Sequence, residues 1–187
     1  LIASFCQEDK GLEFEAKASE KFFSLPPPET LPTYEDLMQG MDNVPFDPSW
    51  AFRKHGFDRR IVQAPWANKK LDMSIGIKMW VKTDGFVDQL TNLHESLLIY
   101  QSDESLADNI LIPFGLTWSS PQVFMVSLDH CMWIHKPINV NEWLFVEQEP
   151  VTASFERGLS RATVWNSDGV LVSTFLQEAL FRERRMN

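Results

Sequence analysis

The chain has 187 residues, of which 44% are hydrophobic and 12% are aromatic, which suits one packed domain and excludes wholesale disorder. Its 17 basic and 26 acidic residues give a net charge of −9, which argues against non-specific binding to nucleic acid. The two cysteines, Cys6 and Cys131, are too few to suggest a disulfide framework, which fits a reducing, intracellular compartment. No apolar stretch reaches the roughly 20 residues that a membrane-spanning helix needs.

The first eight residues match a later segment of the same chain. LIASFCQE (1–8) and LVSTFLQE (171–178) share Leu, Phe, Gln and Glu, and most other positions agree in size or character. Such internal similarity indicates a repeated structural unit. We therefore expect residues 1–8 to be the last strand of a first unit that is otherwise absent. We also expect the chain to be cut from a longer protein, because it begins with Leu1 inside an apolar run.

A proline-rich linker is predicted over residues 9–49. Four of the eleven prolines lie within residues 24–33, and proline fixes φ and removes a backbone donor. A short helix is expected to begin at Thr33, because acidic residues occupy its first turn. The compact domain is then expected to span residues 50–187.

This domain is predicted to be α+β, with one long helix against a curved antiparallel sheet. Leucines and a tyrosine at three- and four-residue spacing indicate a helix over residues 87–103. The sequence NSDG (166–169) indicates a hairpin turn between two alternating segments. Strands are predicted at residues 59–66, 74–83, 121–136, 142–150 and, on both sides of that turn, within 157–182.

Polar residues within the strand at 121–136 raise the question of a metal site. His130 and His135 have odd spacing, so in a regular strand they face opposite sides and cannot bind one ion together. The two cysteines do not complete a zinc site either. We therefore predict no metal and no other cofactor, and we expect His130 to be a hydrogen-bonded residue of the core or of a pocket.

Four segments resemble the type II, TesB-like acyl-CoA thioesterases, a family that includes peroxisomal enzymes. They are LLIYQSD, SLDHCMWIHKP, NEWLFVEQEP and RGLSRATVWNSDGVLVSTFLQE, in this order. The family's proteins are double hotdogs, two units of a helix wrapped by a sheet in one chain. The resemblance implies that residues 50–183 are the second hotdog. It also implies that the missing first hotdog lies in the same gene or in a cleaved partner chain, and that double units form oligomers. The expected location is peroxisomal in a eukaryote and cytoplasmic otherwise.

The resemblance also implies an activity and three site residues. The family's aspartate at the helix end is Asp103 here, its Thr or Ser on the next long strand is Ser127, and its glutamine on the last strand is Gln177. A small residue of the family between Tyr and Ser is Gln101 in this chain. The expected reaction is hydrolysis of fatty acyl-CoA, with Asp103 as general base and with Ser127 and Gln177 holding the water.

The physical chemistry of these residues is compatible with that reaction. Asp103 falls near a helix C-terminus, where the macrodipole disfavours a carboxylate, so we expect its pKa to be raised by the dipole and by burial. Simple alternation puts Ser127 on one face with Asp129, and no G-x-S-x-G motif marks Ser127 as a nucleophile. Gln177 shares a face with Phe175, and a buried amide needs hydrogen-bond partners.

The phosphates of coenzyme A require local cations. The segments RKHGFDRR and NKK, within residues 53–70, hold six basic residues and one acidic residue. The predicted phosphate-binding residues are Arg59, Arg60, Lys69 and Lys70.

Two other functions stay open at this stage. One is a hotdog dehydratase, although His94 lacks the acidic setting on the helix that such enzymes use. The other is a non-catalytic module that binds acyl-CoA.

Overall fold

The computed structural model describes residues 2–5, 12–39, 55–65, 76–88, 93–117 and 120–183. These ranges contain two α-helices, six β-strands and four short 3-10 helices. The helices are α1 (Tyr34–Gln39) and α2 (Leu93–Ser102), and the strands are β1 (Phe57–Gln63), β2 (Lys78–Thr83), β3 (Val123–Ile134), β4 (Leu144–Ser154), β5 (Arg157–Trp165) and β6 (Leu171–Glu183).

The strands form one antiparallel sheet in the order β1-β2-β4-β5-β6-β3. Helix α2 covers one face of this sheet, where Leu98 is fully buried with Val81, Val164 and Phe175. A helix against a curved antiparallel sheet is the hotdog arrangement, so the predicted α+β class is confirmed. No helix within the described ranges is long and apolar enough to cross a membrane.

Helix α2 is shorter than the sequence pattern predicts. Residues 86–88 are not helical, and residues 89–92 lie outside the described ranges. The side chain of Asn141 accepts a hydrogen bond from the Val87 N–H and donates one to the Val87 carbonyl, both at 2.8 Å. This contact satisfies the backbone of Val87 outside a helix, which the spacing of leucines could not reveal.

Part of the predicted linker packs on the other face of the sheet. Phe22 is buried against Trp80 and Phe145, with ring centroids 5.6 Å apart in both pairs. Lys17 forms a β-bridge with Val170. The part of the predicted linker that includes Lys17 and Phe22 is therefore docked on the sheet, and it is called the strap below.

Helix α1 follows this strap and begins as predicted. The hydroxyl of Thr33 accepts a hydrogen bond from the Asp36 N–H, and the Asp36 carboxylate accepts one from the Thr33 N–H, both at 3.0 Å. This reciprocal pair is a capping box, which fixes the helix start.

The described part of the predicted strand at residues 1–8 pairs with no strand of the described ranges. Residues 2–5 are exposed and form no regular element, and residues 1 and 6–8 lie outside the described ranges. Their assignment to a first hotdog therefore stays a prediction.

Two hairpins join β4, β5 and β6. The predicted NSDG turn is present: Asn166 Oδ1 accepts hydrogen bonds from the N–H groups of Asp168 and Val170, and Gly169 has φ of +74°. The other turn places Phe155 and Glu156 at φ of +52° and +63°. Positive φ in both central residues is the type I′ geometry that Asn-Gly usually favours, so the local sequence gives little sign of this turn.

Candidate active site

Asp103, Ser127 and Gln177 lie in direct contact, although they come from three separate elements. Nε2 of Gln177 lies 2.7 Å from Oδ1 of Asp103 and 3.0 Å from Oγ of Ser127. Gln177 is fully buried on β6, whereas the side chain of Asp103 is 68% exposed just after the end of α2. Asp103 is therefore not buried, contrary to expectation. The three residues form a site at the edge of the helix–sheet core.

The hydrogen bonds of this trio leave one exposed acceptor and one donor available, while Oε1 of Gln177 is buried and also has no hydrogen-bond partner within the described ranges. Both N–H groups of the Gln177 amide are used, one towards Asp103 and one towards Ser127. Because Ser127 accepts one of them, its own hydrogen is free to donate. Oδ2 of Asp103 accepts no hydrogen bond from the described part of the chain. A carboxylate acceptor beside a hydroxyl donor can orient a water molecule.

A β-bulge in β3 sets the direction of the side chains around Ser127. Ser127 pairs with Ala179, but Asp129 pairs with the next residue, Glu178, so Leu128 is an extra residue in the strand. The expectation that Asp129 shares the face of Ser127 is therefore wrong. Asp129 is exposed and accepts a hydrogen bond from the Glu178 N–H at 3.2 Å.

The same bulge brings His130 to the site. His130 pairs with Gln177, and its Nε2 lies 2.8 Å from Oγ of Ser102 at the end of α2. Its Nδ1 lies 4.0 Å from Oδ1 of Asp103. The expectation that His130 makes a hydrogen bond is confirmed. Its closeness to Asp103 was missed, because strand alternation gives no sign of a bulge.

Gln101 is a buried amide beside the trio. It is 4% exposed, and neither its nitrogen nor its oxygen has a hydrogen-bond partner within the described ranges. An unpartnered buried amide lowers stability by roughly 1–3 kcal/mol.

We expect Gln101→Met to raise the free energy of unfolding by about 1–3 kcal/mol, because methionine keeps the volume and removes the unpartnered polar atoms. Thermal and denaturant unfolding of the full-length protein would measure the change. Gln39→Met, at an exposed position of α1, is the matched control and should have little effect. A large loss of stability in Gln101→Met would instead indicate that the amide is hydrogen-bonded.

Arg59 is buried in a cluster of charged side chains. It is 5% exposed, donates to Glu104 at 2.8 Å and to Glu35 at 3.2 Å, and lies over the Tyr34 ring. His55 lies 2.6 Å from the other oxygen of Glu104. Because Glu104 follows Asp103 directly, this cluster anchors the chain at the site.

These contacts bear on the predicted phosphate-binding residues. A phosphate could reach Arg59 only by displacing Glu104 or Glu35, and Arg60 is already paired with Asp58 at 2.7 Å. Lys69 and Lys70 lie outside the described ranges. Phosphate binding by these four residues stays a prediction, and the contacts of Arg59 favour a structural part for it.

Asp108 adds a pH-sensitive group to the segment after α2. Desolvation by burial raises the pKa of Asp108 to about 7. Because the folded-state pKa exceeds the unfolded value, the folded protein keeps a proton that the unfolded chain loses as pH rises above about 4. The resulting stability is complete below that pH and is lost as pH rises through about 7.

We therefore expect Asp108→Asn to stabilise the protein by roughly 1–3 kcal/mol near pH 8 and to change little near pH 4. The asparagine cannot ionise, so the desolvation cost of the charge disappears. Unfolding curves across this pH range would show the difference, with exposed Glu20→Gln as the control. A gain that is equal at both pH values would contradict the assignment.

The described ranges contain no group of three or more His, Cys, Asp or Glu side chains that could hold a metal ion. The site around Asp103 consists of the Asp103 carboxylate, the Gln177 amide, the Ser127 hydroxyl and the His130 imidazole.

Sequence comparisons give one family model and several relatives. The model for the acyl-CoA thioesterase C-terminal domain matches residues 28–181. Acyl-coenzyme A thioesterase 8 of Rattus norvegicus is 30% identical over 173 residues, which are 86% of this chain and 52% of the rat protein. Acyl-CoA thioesterase 2 of Haemophilus influenzae is 30% identical over 103 residues, which are 55% of this chain and 36% of that protein. The chain spans about half the length of the rat relative.

A solved structure shows a similar fold. The acyl-CoA thioesterase II TesB2 of Mycobacterium marinum superposes with a TM-score of 0.68 at 22% identity, over 96% of this chain and 61% of that chain.

Proposed function

Because the chain belongs to the acyl-CoA thioesterase C-terminal domain family, we propose that it hydrolyses fatty acyl-CoA to a free fatty acid and coenzyme A. The observation that carries the proposal is the double hydrogen bond of Gln177 to Asp103 and Ser127. A buried amide that links an exposed carboxylate to a hydroxyl fixes both groups at the surface of the core, where a substrate can reach them.

In the proposed mechanism, Asp103 acts as general base on a water molecule. The free Oδ2 takes a proton from the water while the hydroxyl of Ser127 donates to the water oxygen. The water oxygen forms a bond to the thioester carbonyl carbon, and the C–S bond then breaks. The thiolate of coenzyme A recovers the proton. Gln177 holds the base and the hydroxyl at a fixed separation, which lowers the entropic cost of reaching the transition state.

An apolar groove that connects to the trio through Ile110 is proposed to hold the acyl chain. The groove has a volume of about 470 Å³ and is lined by Ile110, Phe114, Val151 and Ala153, among others. Ile110 packs against Ala179, which is the sheet partner of Ser127. The groove and Ser127 are therefore joined through Ile110 and Ala179.

The surroundings of His94 favour hydrolysis over dehydration. His94 is buried, and its Nδ1 accepts a hydrogen bond from the Val140 N–H at 3.2 Å. A histidine in the core is poorly placed to exchange a proton with a substrate. A non-catalytic binding module, the other alternative, would have no need for a carboxylate linked to a hydroxyl.

The proposed partner is a first hotdog that continues the sheet. Strand β3 lies at the sheet edge, and its Phe124, Val126 and Leu128 are 43–47% exposed. Exposed apolar residues on an edge strand favour association with another surface. The additional length of the relatives is consistent with such a unit. Formation of oligomers and a peroxisomal location stay predictions.

Thiol release from acyl-CoA substrates of increasing chain length tests the function on the full-length protein. We expect hydrolysis of fatty acyl-CoA and no hydration of enoyl-CoA. Hydration without hydrolysis would support the dehydratase alternative. Tight binding of acyl-CoA without either reaction would support a binding module and would overturn the proposal.

A further inference from the structure

The hydrogen bonds of Ser102 determine where the proton of neutral His130 lies. The Ser102 hydroxyl donates its only hydrogen to the Ile99 carbonyl at 2.7 Å. Its oxygen also lies 2.8 Å from Nε2 of His130, so this imidazole nitrogen must be the donor. In the neutral ring the proton is therefore on Nε2, and Nδ1 carries a lone pair.

The lone pair of Nδ1 is buried and lies close to Asp103. Within the described ranges Nδ1 has no hydrogen-bond partner, and Oδ1 of Asp103 lies 4.0 Å away. The ring is held from the other side by Phe175, with centroids 6.2 Å apart. A lone pair that faces a carboxylate is repelled, whereas a protonated Nδ1 is attracted.

The carboxylates that adjoin Asp103, His130 and Gln177 in sequence have partners of their own. They are Glu104 with Arg59 and His55, Glu178 with Arg157, and Asp129 with a backbone N–H. Asp103 is thus the carboxylate that faces His130 in the described part of the chain.

We propose that Asp103 and His130 share the proton that is removed from the attacking water. In this pair Asp103 is the base that contacts the water, and His130 holds the proton. The proposal rests on the proposed thioester hydrolysis. Oδ2 of Asp103 takes the proton from the attacking water, rotation of this exposed carboxyl group turns the protonated oxygen towards His130, and the proton comes to rest on Nδ1. When the C–S bond breaks, the pair returns this proton to the thiolate, which leaves as the free thiol.

The chemistry of the two groups supports this division of roles. Imidazole and aspartate have reference pKa values of about 6.5 and 3.9, so near neutral pH an imidazole retains a proton far better. A base works best when its pKa lies near the working pH. The separation of 4.0 Å exceeds a hydrogen bond, but Asp103 is largely exposed, and such contacts often shorten when substrate binds.

Nitrogen-15 NMR of the His130 imidazole tests the pair without any activity. At one pH near neutrality we expect the Nδ1 resonance of the full-length protein to lie closer to the protonated range than that of Asp103→Asn, because the carboxylate favours the imidazolium. The resonance is assigned by its loss in His130→Gln. The same position of the Nδ1 resonance in both proteins would overturn the proposal.

The pH dependence of kcat/KM tests the role in turnover. The glutamine in His130→Gln can still donate to Ser102 but cannot titrate. We expect kcat of the His130→Gln variant to fall about 10–100-fold. We also expect the acidic limb of its kcat/KM profile to move to lower pH. His135→Gln is the matched control, since His135 is exposed and bonds to Thr174.

The outcomes separate this inference from the proposed function. Normal turnover with the wild-type pH profile in His130→Gln would overturn the proton-holding role and leave thioester hydrolysis intact. Absence of hydrolysis in the wild-type protein, with a His130 that still responds to Asp103, would instead overturn the proposed function.

Discussion

Asp103→Asn is expected to lower kcat for thioester hydrolysis by about 10²–10⁴-fold while acyl-CoA binding stays nearly unchanged. Asparagine is nearly isosteric, and its oxygen can still accept the hydrogen bond that Gln177 donates. The amide cannot take a proton from water, so the loss falls on the chemical step. Steady-state kinetics and calorimetric titration with a slow substrate analogue would separate the two effects.

Asp129→Asn is the matched control for this variant. Asp129 is also an exposed aspartate near Ser127, but it points away from the site and holds the bulge of β3. The Asp129→Asn substitution should lower the free energy of unfolding more than it lowers kcat. A kcat of Asp103→Asn within a few-fold of wild type, across several acyl chain lengths, would contradict the role of Asp103.

Gln177→Met is expected to lower kcat by about 10²-fold, the second largest effect. The methionine fills the same space, so the core stays packed, but both hydrogen bonds that orient Asp103 and Ser127 are lost. Ser127→Ala should have a smaller effect, since the base remains. Because Ser127 and Gln177 act as one unit, kcat of the double variant Ser127→Ala/Gln177→Met should be little lower than that of the slower single variant.

Additivity of the two single effects would contradict this account. It would mean that Gln177 and Ser127 contribute independently to catalysis, and that the contacts at 2.7 and 3.0 Å do not hold one shared arrangement. Unfolding curves for each variant are needed alongside, since a loss of folding would also reduce kcat.

Local chemistry was sufficient to predict several parts of the fold. The NSDG turn requires a residue at positive φ, and Gly169 supplies it. Thr33 and Asp36 form a capping box within four residues. The apolar spacing predicted the helix that is present at residues 93–102, although the buried leucine is Leu98, whereas Leu93 and Tyr100 of the predicted stripe are exposed. Each of these features depends on neighbours in sequence, which is why a single chain reveals them.

Features that depend on distant contacts were not predictable. Phe22 docks on Trp80 and Phe145, which are far away in sequence. The local sequence therefore predicted a free linker where the structure has a docked strap. The non-helical backbone of Val87 is held by Asn141, and the buried Arg59 is paired with Glu104.

The candidate site shows the same division. Asp103, Ser127 and Gln177 were selected by resemblance, because on pattern alone a serine in a strand is usually structural. The bulge at Leu128, which turns His130 towards Asp103, depends on the register of β3 against β6. No periodicity within β3 encodes that register.

Single-turnover kinetics with enzyme in excess over acyl-CoA test the central claim, direct attack of a water molecule activated by Asp103. Rapid quenching would follow free thiol, free acid and the mass of the protein together. The account predicts that thiol and acid appear with one rate constant and that the protein mass never changes. A burst of thiol ahead of acid, with the acyl group bound to Asp103 or Ser127, would contradict it.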